Sequence, residues 1–373
     1  MAGETYHVIG LLSGSSLDGA DIALLRFEVD RHDPKLLLDW SIVDAVTVPY
    51  DGSWSQRLKN LPTGSARELV IADTSLGHYY GDLINTFVKE IAPSQKIDLI
   101  ASHGHTIFHF PDLKTTTQIG DGAAILSKTG IDTVTQLRSV DVAFGGQGAP
   151  LAPLGDQFLF PGYTYYLNLG GIANITTHIE KEIIAFDICT CNQIFNGLAA
   201  LVGKAYDHNG EMASRGQVNQ SLLTLLQSDE YHALPYPKSL DNTWSQTHQV
   251  IPAIEFEDSI ENKLCTGVEF VAIELSKACS LLKARQPPKS RSIYVTGGGA
   301  LNQYLISRMK YHCADLEFVL PSKQIIEYKE VSFIALAGLW RILGMPNLYA
   351  SVTGAPIDTV NGAMYSNHPQ TYP

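Results

Sequence analysis

The sequence lacks a basic excess, a long apolar run and a paired set of cysteines. Against 38 acidic residues there are 26 lysines and arginines, so the formal net charge is −12. A nucleic-acid-binding protein needs a basic face to neutralise phosphates, and this composition does not offer one. The sequence contains no run of about 18 apolar residues, so no membrane-spanning helix is predicted. We therefore expect a protein that binds neither nucleic acid nor a membrane.

The sequence also lacks the marks of an exported protein. Its first residues, MAGETYHVIGLLSGSS, do not combine a basic segment with an apolar one, as a signal peptide does. Five cysteines, an odd number in 373 residues, do not make a disulfide framework. These absences predict a soluble, cytoplasmic protein.

What is present is the composition of a globular protein long enough for two domains. Hydrophobic residues make up 45% of the chain and charged residues 17%. Apolar runs flank small-residue turns twice, in YHVIGLL-SGSSLDG-ADIALLRFEV and in YTYYLNL-GG-IANITT, and each pattern predicts a β-hairpin. Helical spacing follows in ELVIADTSLGHYYGDLINTFVKEI. We predict an α/β fold of two similar units, residues 1–135 with about 340–373, and about 136–339.

The first of these turns, residues 13–21, combines glycine, serine and acidic residues. Glycine and serine allow backbone N–H groups to converge on an anion. The carboxylates of Asp18 and Asp21 suit a hydrated Mg²⁺. The alternative is an ordinary solvated turn, because the same residue types favour turns in general. The candidate phosphate-binding residues are Gly14, Ser15, Ser16, Leu17, Asp18, Gly19, Ala20 and Asp21.

A second glycine-rich turn is predicted between a strand and a helix. The segment TGGGALNQ places Gly297, Gly298 and Gly299 before a helix that we expect to begin near Asn302. Backbone N–H groups at a helix N-terminus can receive a phosphate. A tight strand-to-helix turn without a ligand is the alternative.

The segment AFDICTCN contains the candidate general base. The pattern predicts Asp187 at the end of an apolar strand, where a carboxylate can deprotonate water or a sugar hydroxyl. Alternatively, an aspartate that ends a strand caps the next helix. Cys189 and Cys191 do not have zinc-ligand spacing, so we interpret them as packing residues.

Histidines are concentrated in ASHGHTIFH. His103, His105 and His109 would lie on one side of an extended strand. They could bind a metal or line a polar pocket.

The stretch RSVDVAFGGQGAPLAP is rich in glycine, proline and polar residues. Arg138, Asp141 and Gln147 carry groups that hydrogen-bond sugar hydroxyls or a carboxylate. A structural crossing loop is the alternative.

Taken in order, these segments resemble the anhydro-N-acetylmuramic acid kinase family of the sugar-kinase, heat-shock ATPase and actin superfamily. The resemblance covers nearly the whole chain and is carried by GLLSGSSLDGADIALL, SHGHTIFHFP, VDVAFGGQGAPLAP, YLNLGGIANIT, AFDICTCN, YPKSLDN and VTGGGALNQYL. It implies two ribonuclease H-like lobes, with mixed sheets flanked by helices and a central cleft for ATP and substrate. It also implies ATP- and Mg²⁺-dependent opening of 1,6-anhydro-N-acetylmuramic acid by water, with phosphorylation of O6, in murein recycling. A homodimer is plausible on the same ground.

The resemblance also assigns roles to residues. It implies that residues 14–21 bind the ATP phosphates and that Asp187 is the catalytic base. The further residues that it implies around the nucleotide or the sugar are Gly170, Gly171, Asn174, Gly297, Gly298 and Gly299, and His103, Arg138, Asp141, Gly146, Gln147 and Glu330.

The acceptor side departs from the family pattern in several places. His105 stands where the family has glutamine, CTC replaces Gly-Pro-Gly, and KSLDNT replaces KSTGRE. A kinase for a different anhydro or amino sugar and a catalytically silent ATP-binding homologue therefore stay open as alternatives. A glycoside hydrolase would need two carboxylates and no nucleotide, and the glycine turns argue against it.

Overall fold

The structure is a computed structural model that describes residues 3–14, 17, 19–91, 95–149, 151–179, 182–236, 238–285 and 290–366. The candidate residues Ser15, Ser16 and Asp18 lie outside the described residues. The strands are β1 (Gly3–Ser13), β2 (Gly19–Asp30), β3 (Leu37–Pro49), β4 (Leu99–Phe110), β5 (Thr115–Ile119), β6 (Thr133–Thr135), β7 (Tyr165–Leu169), β8 (Ile172–Ile179), β9 (Glu182–Thr190), β10 (Ser292–Thr296), β11 (Glu317–Val319) and β12 (Ala363–Tyr365).

Helices connect and flank these strands. They are α1 (Gly52–Asn60), α2 (Ala66–Ile91), α3 (Gly122–Thr129), α4 (Ser139–Ala143), α5 (Ala152–Phe158), α6 (Asn192–Ala200), α7 (Gln220–Gln227), α8 (Asn242–Ser245), α9 (Ile251–Glu255), α10 (Ile260–Arg285), α11 (Gln303–His312), α12 (Lys323–Ile342) and α13 (Ala350–Thr353). Within the described part of the chain, no helix combines the length and the apolar character needed to cross a membrane.

The chain divides into two compact units, Met1–Pro161 with Tyr328–Pro373 and Gly162–Glu327. The second unit is inserted into the first. The first unit extends beyond residue 135 because α5 packs on α12: a Cβ at Gly155 would lie only 1.9 Å from the Phe333 ring. Residues 328–339 join it because Gly10 of β1 lies against the backbone of Val331.

The sheet of the first unit has the order β12-β6-β4-β1-β2-β3, and β5 pairs with β4. Strands β1, β2 and β3 form an antiparallel meander. Strand β4 then pairs in parallel with β1, and β6 in parallel with β4. One apolar face packs under α1, α2 and α3, with fully buried Ile9, Tyr80 and Ile84. The hairpin predicted near the N-terminus is therefore β1–β2.

The sheet of the second unit repeats this plan, in the order β11-β10-β7-β8-β9. Strands β7, β8 and β9 are an antiparallel meander, and β10 and β11 extend it in parallel from β7. Its core includes Cys189 and Cys191, which are fully buried and serve as packing residues, as expected. Two mixed sheets flanked by helices confirm the predicted α/β fold class.

Candidate functional site

Among the described residues of the turn between β1 and β2, Leu17 and Gly19 have distinctive backbone geometry. Leu17 has a φ of +60°, and its N–H donates to the carbonyl of Gly14 at 3.3 Å. A Cβ at Gly19 would lie 2.2 Å from the carbonyl oxygen of Val48, so only glycine allows β2 to pair this closely with β3. Ala20 lies within β2.

Asp21 lies on β2 one residue beyond Ala20 and is half-buried. The hydroxyl of Thr47 on β3 donates to its Oδ1 at 2.6 Å. This contact holds the carboxylate in place. Within the part of the chain that the structure describes, no cluster of three or more His, Cys, Asp or Glu side chains forms a ready metal site.

A buried chain of hydrogen bonds lies beneath this turn. The hydroxyl of Tyr50 donates to Ser13 Oγ at 2.8 Å and lies 2.8 Å from the hydroxyl of Tyr80. Ser13 Oγ in turn lies 2.9 Å from Nδ1 of His105. Burial lowers the pKa of His105, so a neutral imidazole can accept the proton of Ser13. These hydrogen bonds fix Ser13, the last residue of β1, immediately before the turn.

The three histidines do not share one side of an extended strand, so that expectation is wrong. Gly104 has a φ of +70° and interrupts the extended backbone between His103 and His105. His105 bonds to Ser13 instead. His103 and His109 both lie within the field of the Arg138 charge.

Arg138 interacts electrostatically with several of the remaining polar residues of the first unit. Burial lowers its pKa, and the charge of Glu330 opposes that shift. Burial, aided by the Arg138 charge, lowers the pKa of His103 to about 3, so this imidazole is neutral. Among the described residues, Arg138 Nε and His103 Nε2 are buried without a hydrogen-bond partner. Unsatisfied buried groups are costly, and a bound polar ligand would satisfy them.

Asp141 is fully buried and engaged on both carboxylate oxygens. Its Oδ2 accepts the N–H of Gly148 at 2.9 Å, and its Oδ1 accepts the hydroxyls of Thr353 at 2.8 Å and Thr359 at 3.3 Å. A Cβ at Gly146 would lie 2.1 Å from Oδ2. The side chain therefore organises the loop that precedes α5, and a ligand could reach it only if this loop opened.

Gln147 lies in the same loop and is exposed. Its N–H donates to the carbonyl of Thr353 at 2.8 Å, which leaves the side chain on the surface. Glu330 is also exposed, on α12.

In the second unit, two glycine turns and the start of α6 meet at the end of the sheet where strands β7 and β10 have their carboxyl ends. Strands β7 and β10 are parallel, so their carboxyl ends lie side by side. The carbonyl of Gly171 accepts the N–H of Cys191 at 2.8 Å, and the carbonyl of Gly170 accepts the N–H of Asn192 at 3.1 Å. Gly297 has a φ of +82° and a ψ of 163°, and a Cβ there would lie 2.7 Å from the backbone of Leu169.

Asp187 belongs to a row of polar residues that runs across this sheet. Thr296 on β10 pairs with Asn168 on β7, Asn168 with Asn174 on β8, and Asn174 with Asp187 on β9. Residues paired directly across strands project from the same face. Asn174 and Asp187, two of the sequence candidates, are thus neighbours.

Asp187 does not end its strand, contrary to our expectation. Strand β9 continues to Thr190 because a bulge at residue 188 shifts the register against β8 while pairing goes on. It does not cap α6 either, since Cys191 occupies that position. Its Oδ2 accepts the N–H of Leu240 at 2.8 Å. Burial raises the pKa of Asp187, and the Leu240 bond only partly offsets this.

Comparison with known proteins shows the family to which the chain belongs. Residues 6–367 match the family described as anhydro-N-acetylmuramic acid kinase. The anhydro-N-acetylmuramic acid kinase of Pasteurella multocida (strain Pm70) is 33% identical over an alignment of 388 residues that covers 98% of each chain. The chain belongs to the anhydro-N-acetylmuramic acid kinase family. It is therefore a phosphotransferase.

Two further comparisons are with a relative of the same name and with a solved structure. The anhydro-N-acetylmuramic acid kinase of Coxiella burnetii (strain Dugway 5J108-111) is 32% identical over 382 residues, again covering 98% of each chain. Among solved structures, the activator of 2-hydroxyisocaproyl-CoA dehydratase from Clostridium difficile with bound ADPNP aligns with a TM-score of 0.40. That alignment has 15% identity and covers 89% of this chain and 94% of the other.

The sequence alone did not indicate several residues that hydrogen-bond to the candidate turns of this kinase or next to them. Tyr50 and Tyr80 are distant in sequence from Ser13, which opens the predicted turn, and they meet it only in the fold. Asn192, whose Nδ2 donates to the carbonyl of Leu169 at 2.8 Å, stands within the motif AFDICTCN. The helix start after that motif was the signal that could have revealed it.

We expect Gly297→Ala to destabilise the kinase by about 2 kcal/mol or more. The backbone conformation is nearly restricted to glycine, which costs about 1–3 kcal/mol for other residues, and the new Cβ would also clash with Leu169. Gly203→Ala is a suitable control, because Gly203 has a φ of +72° with open space around its Cα. Urea unfolding measures both variants. Equal losses would mean that the close approach to Leu169 contributes nothing.

Proposed function

We propose that this kinase uses ATP and Mg²⁺ to open 1,6-anhydro-N-acetylmuramic acid with water and to phosphorylate O6. The product would be N-acetylmuramic acid 6-phosphate, as murein recycling requires. The observation that carries the proposal is the half-buried carboxylate of Asp187, which accepts the backbone N–H of Leu240. Asp187 lies on the sheet that also carries both glycine turns of the second unit. Family membership supports the substrate class.

Asp187 is the proposed general base. It accepts a proton from water while the water oxygen bonds to the anomeric carbon. The bond between that carbon and O6 breaks, and its electron pair stays on O6. O6 then attacks the γ-phosphorus, and the bond from that phosphorus to the bridging oxygen breaks to release ADP. A pKa raised by burial makes Asp187 a stronger base than an ordinary aspartate.

We assign the phosphates of ATP to the turn of residues 14–21 and to the glycine turns at 170–171 and 297–299. Their backbone N–H groups suit an anion. For Mg²⁺, the described donor set fits: Asp21 offers one anchored carboxylate, and this ion is usually held by one or two carboxylates with phosphate oxygens and water. When bound, Mg²⁺ supplies positive charge that offsets the phosphate charge.

We assign the sugar to the polar residues of the first unit. The buried Nε of Arg138 and Nε2 of His103 lack partners among the described residues, and sugar hydroxyls or a carboxylate would satisfy them. Gln147 and Glu330 are exposed, and we propose that they also contact the sugar. For Asp141 and Gly146 we propose a role in holding the loop rather than direct contact.

A coupled ADP-release assay on a panel of anhydro and amino sugars tests the proposal. We expect ADP release that depends on 1,6-anhydro-N-acetylmuramic acid and on Mg²⁺, with one phosphorylated sugar formed per ADP. Preference for another sugar would correct the substrate. Nucleotide binding without turnover on any sugar would identify a silent homologue, and ring opening without ATP would identify a hydrolase.

A further inference from the structure

Strand β9 stands at the outer end of its sheet, so the outward backbone groups around Asp187 need partners from outside the sheet. The segment from residue 229 to 249 supplies them. The N–H of Asp187 donates to the carbonyl of Lys238 at 3.1 Å. The carbonyl of Asp187 accepts the hydroxyl of Tyr231 at 2.7 Å. The N–H of Thr190 donates to Oε1 of Gln249 at 3.0 Å.

These contacts lie where the strand is least regular. The bulge at residue 188 disrupts the pairing of β9 with β8 between Asp187 and Thr190. A bulge re-aims the side chains next to it. The orientation of the Asp187 carboxylate therefore depends on the outer contacts as well as on the sheet.

Tyr231 contacts the segment of residues 229–249 and Asp187 at more than one point. Besides bonding to the Asp187 carbonyl, it accepts the Nζ of Lys238 on its own carbonyl at 3.0 Å. The same Nζ lies 4.5 Å from the centre of the Tyr231 ring. Two residues beyond Lys238, the N–H of Leu240 donates to the Asp187 carboxylate. Tyr231 thus holds both the backbone of Asp187 and the segment that orients its side chain.

Tyr231 is itself fixed in place. Its N–H donates to Oδ1 of Asp229 at 2.8 Å, and Oδ2 of Asp229 pairs with Nδ1 of His248 at 2.7 Å. The ring of Trp244 stacks on His248 with 4.9 Å between centroids and lies 5.2 Å from the ring of Tyr231. Only 6% of Tyr231 is exposed. A side chain held this firmly can transmit a fixed geometry.

The neighbouring residue reinforces the same strand end. The Nε2 of His232 lies 2.9 Å from Nε2 of Gln249, which donates to it, while Nδ1 faces Glu274 at 3.5 Å. Gln249 is fully buried and holds Thr190. Consecutive residues of one short helical turn, Glu230–Ala233, therefore act on both sides of the bulge.

We propose that Tyr231 is a positioning residue for Asp187, acting through the Asp187 carbonyl and through the segment from Lys238 to Leu240. This inference rests on the proposed function of Asp187 as base. Loss of the hydroxyl would let the strand and the Leu240 N–H shift relative to the carboxylate. Misplacement of a catalytic group by about 1 Å can cost about 100-fold in rate.

The test compares Tyr231→Phe with Tyr236→Phe, a control in the same segment whose ring stacks on Phe186. For Tyr231→Phe we expect kcat to fall about 10-fold with the KM for ATP unchanged. We also expect faster hydrogen exchange of the Leu240 amide, measured by NMR. The control should match the wild type in both measurements.

The two measurements separate the possible failures. An unchanged kcat in Tyr231→Phe would overturn the proposal, as would an equal loss in Tyr236→Phe or an unchanged exchange rate at Leu240. If the wild type shows no sugar-dependent turnover, the proposed function fails, and unchanged Leu240 exchange would then separately refute the positioning contact.

Discussion

Asp187→Asn is expected to lower kcat by at least about 10²–10⁴-fold, the usual contribution of a general base. Asparagine has the same shape and keeps an oxygen that can accept the N–H of Leu240, but it cannot take a proton from water. We expect ATP to bind with unchanged affinity, because the glycine turns are unaltered. Steady-state kinetics and calorimetric titration with ATP measure the two effects.

A matched control and a pH profile sharpen this prediction. Asp258→Asn also replaces a hydrogen-bonded carboxylate of the second unit, but there Asn219 and Asn262 lower the pKa of the carboxyl group. We expect it to retain turnover. In the wild type, burial raises the pKa of Asp187, so activity should be lost on acidification at a higher pH than an ordinary aspartate would allow. Wild-type turnover in Asp187→Asn would refute the assignment of the base.

Local patterns predicted much of the fold. The β1–β2 and β7–β8 hairpins follow from apolar runs around small-residue turns, because a hairpin depends on residues that are close in sequence. Helix α2 and the start of α11 after Asn302 follow from periodicity and capping. The repeated sheet order agrees with the resemblance between the two halves of the chain.

The candidate site depends on features that local patterns do not contain. The bulge that carries β9 past Asp187 arises from pairing with β8, and the Leu240 N–H that orients its carboxylate comes from 53 residues away. His105 bonds to Ser13 across 92 residues. No pattern within a short window encodes such partners, so residue types indicated the chemistry and only the fold supplied the orientation.

Distant partners also explain why the structure gives Asp141 a different place from the sugar-binding role that its residue type suggested. Its partners Thr353 and Thr359 lie 212 and 218 residues away. They turn an apparent binding group into a buried junction between the loop of residues 144–148 and the C-terminal part of the first unit. A stability measurement can therefore distinguish the two roles.

Asp141→Ala should destabilise the first unit by about 3–5 kcal/mol, because it strips several buried donors of their acceptor. Asp141→Asn should cost less, since its oxygen can still accept the N–H of Gly148 while the threonine hydroxyls rotate to accept its amide. Thr353→Val, which removes a single hydroxyl, should cost about 1 kcal/mol. Urea unfolding ranks the three variants. A loss below about 1 kcal/mol for Asp141→Ala would mean that the carboxylate is not a structural junction, and it would return Asp141 to the sugar-binding residues.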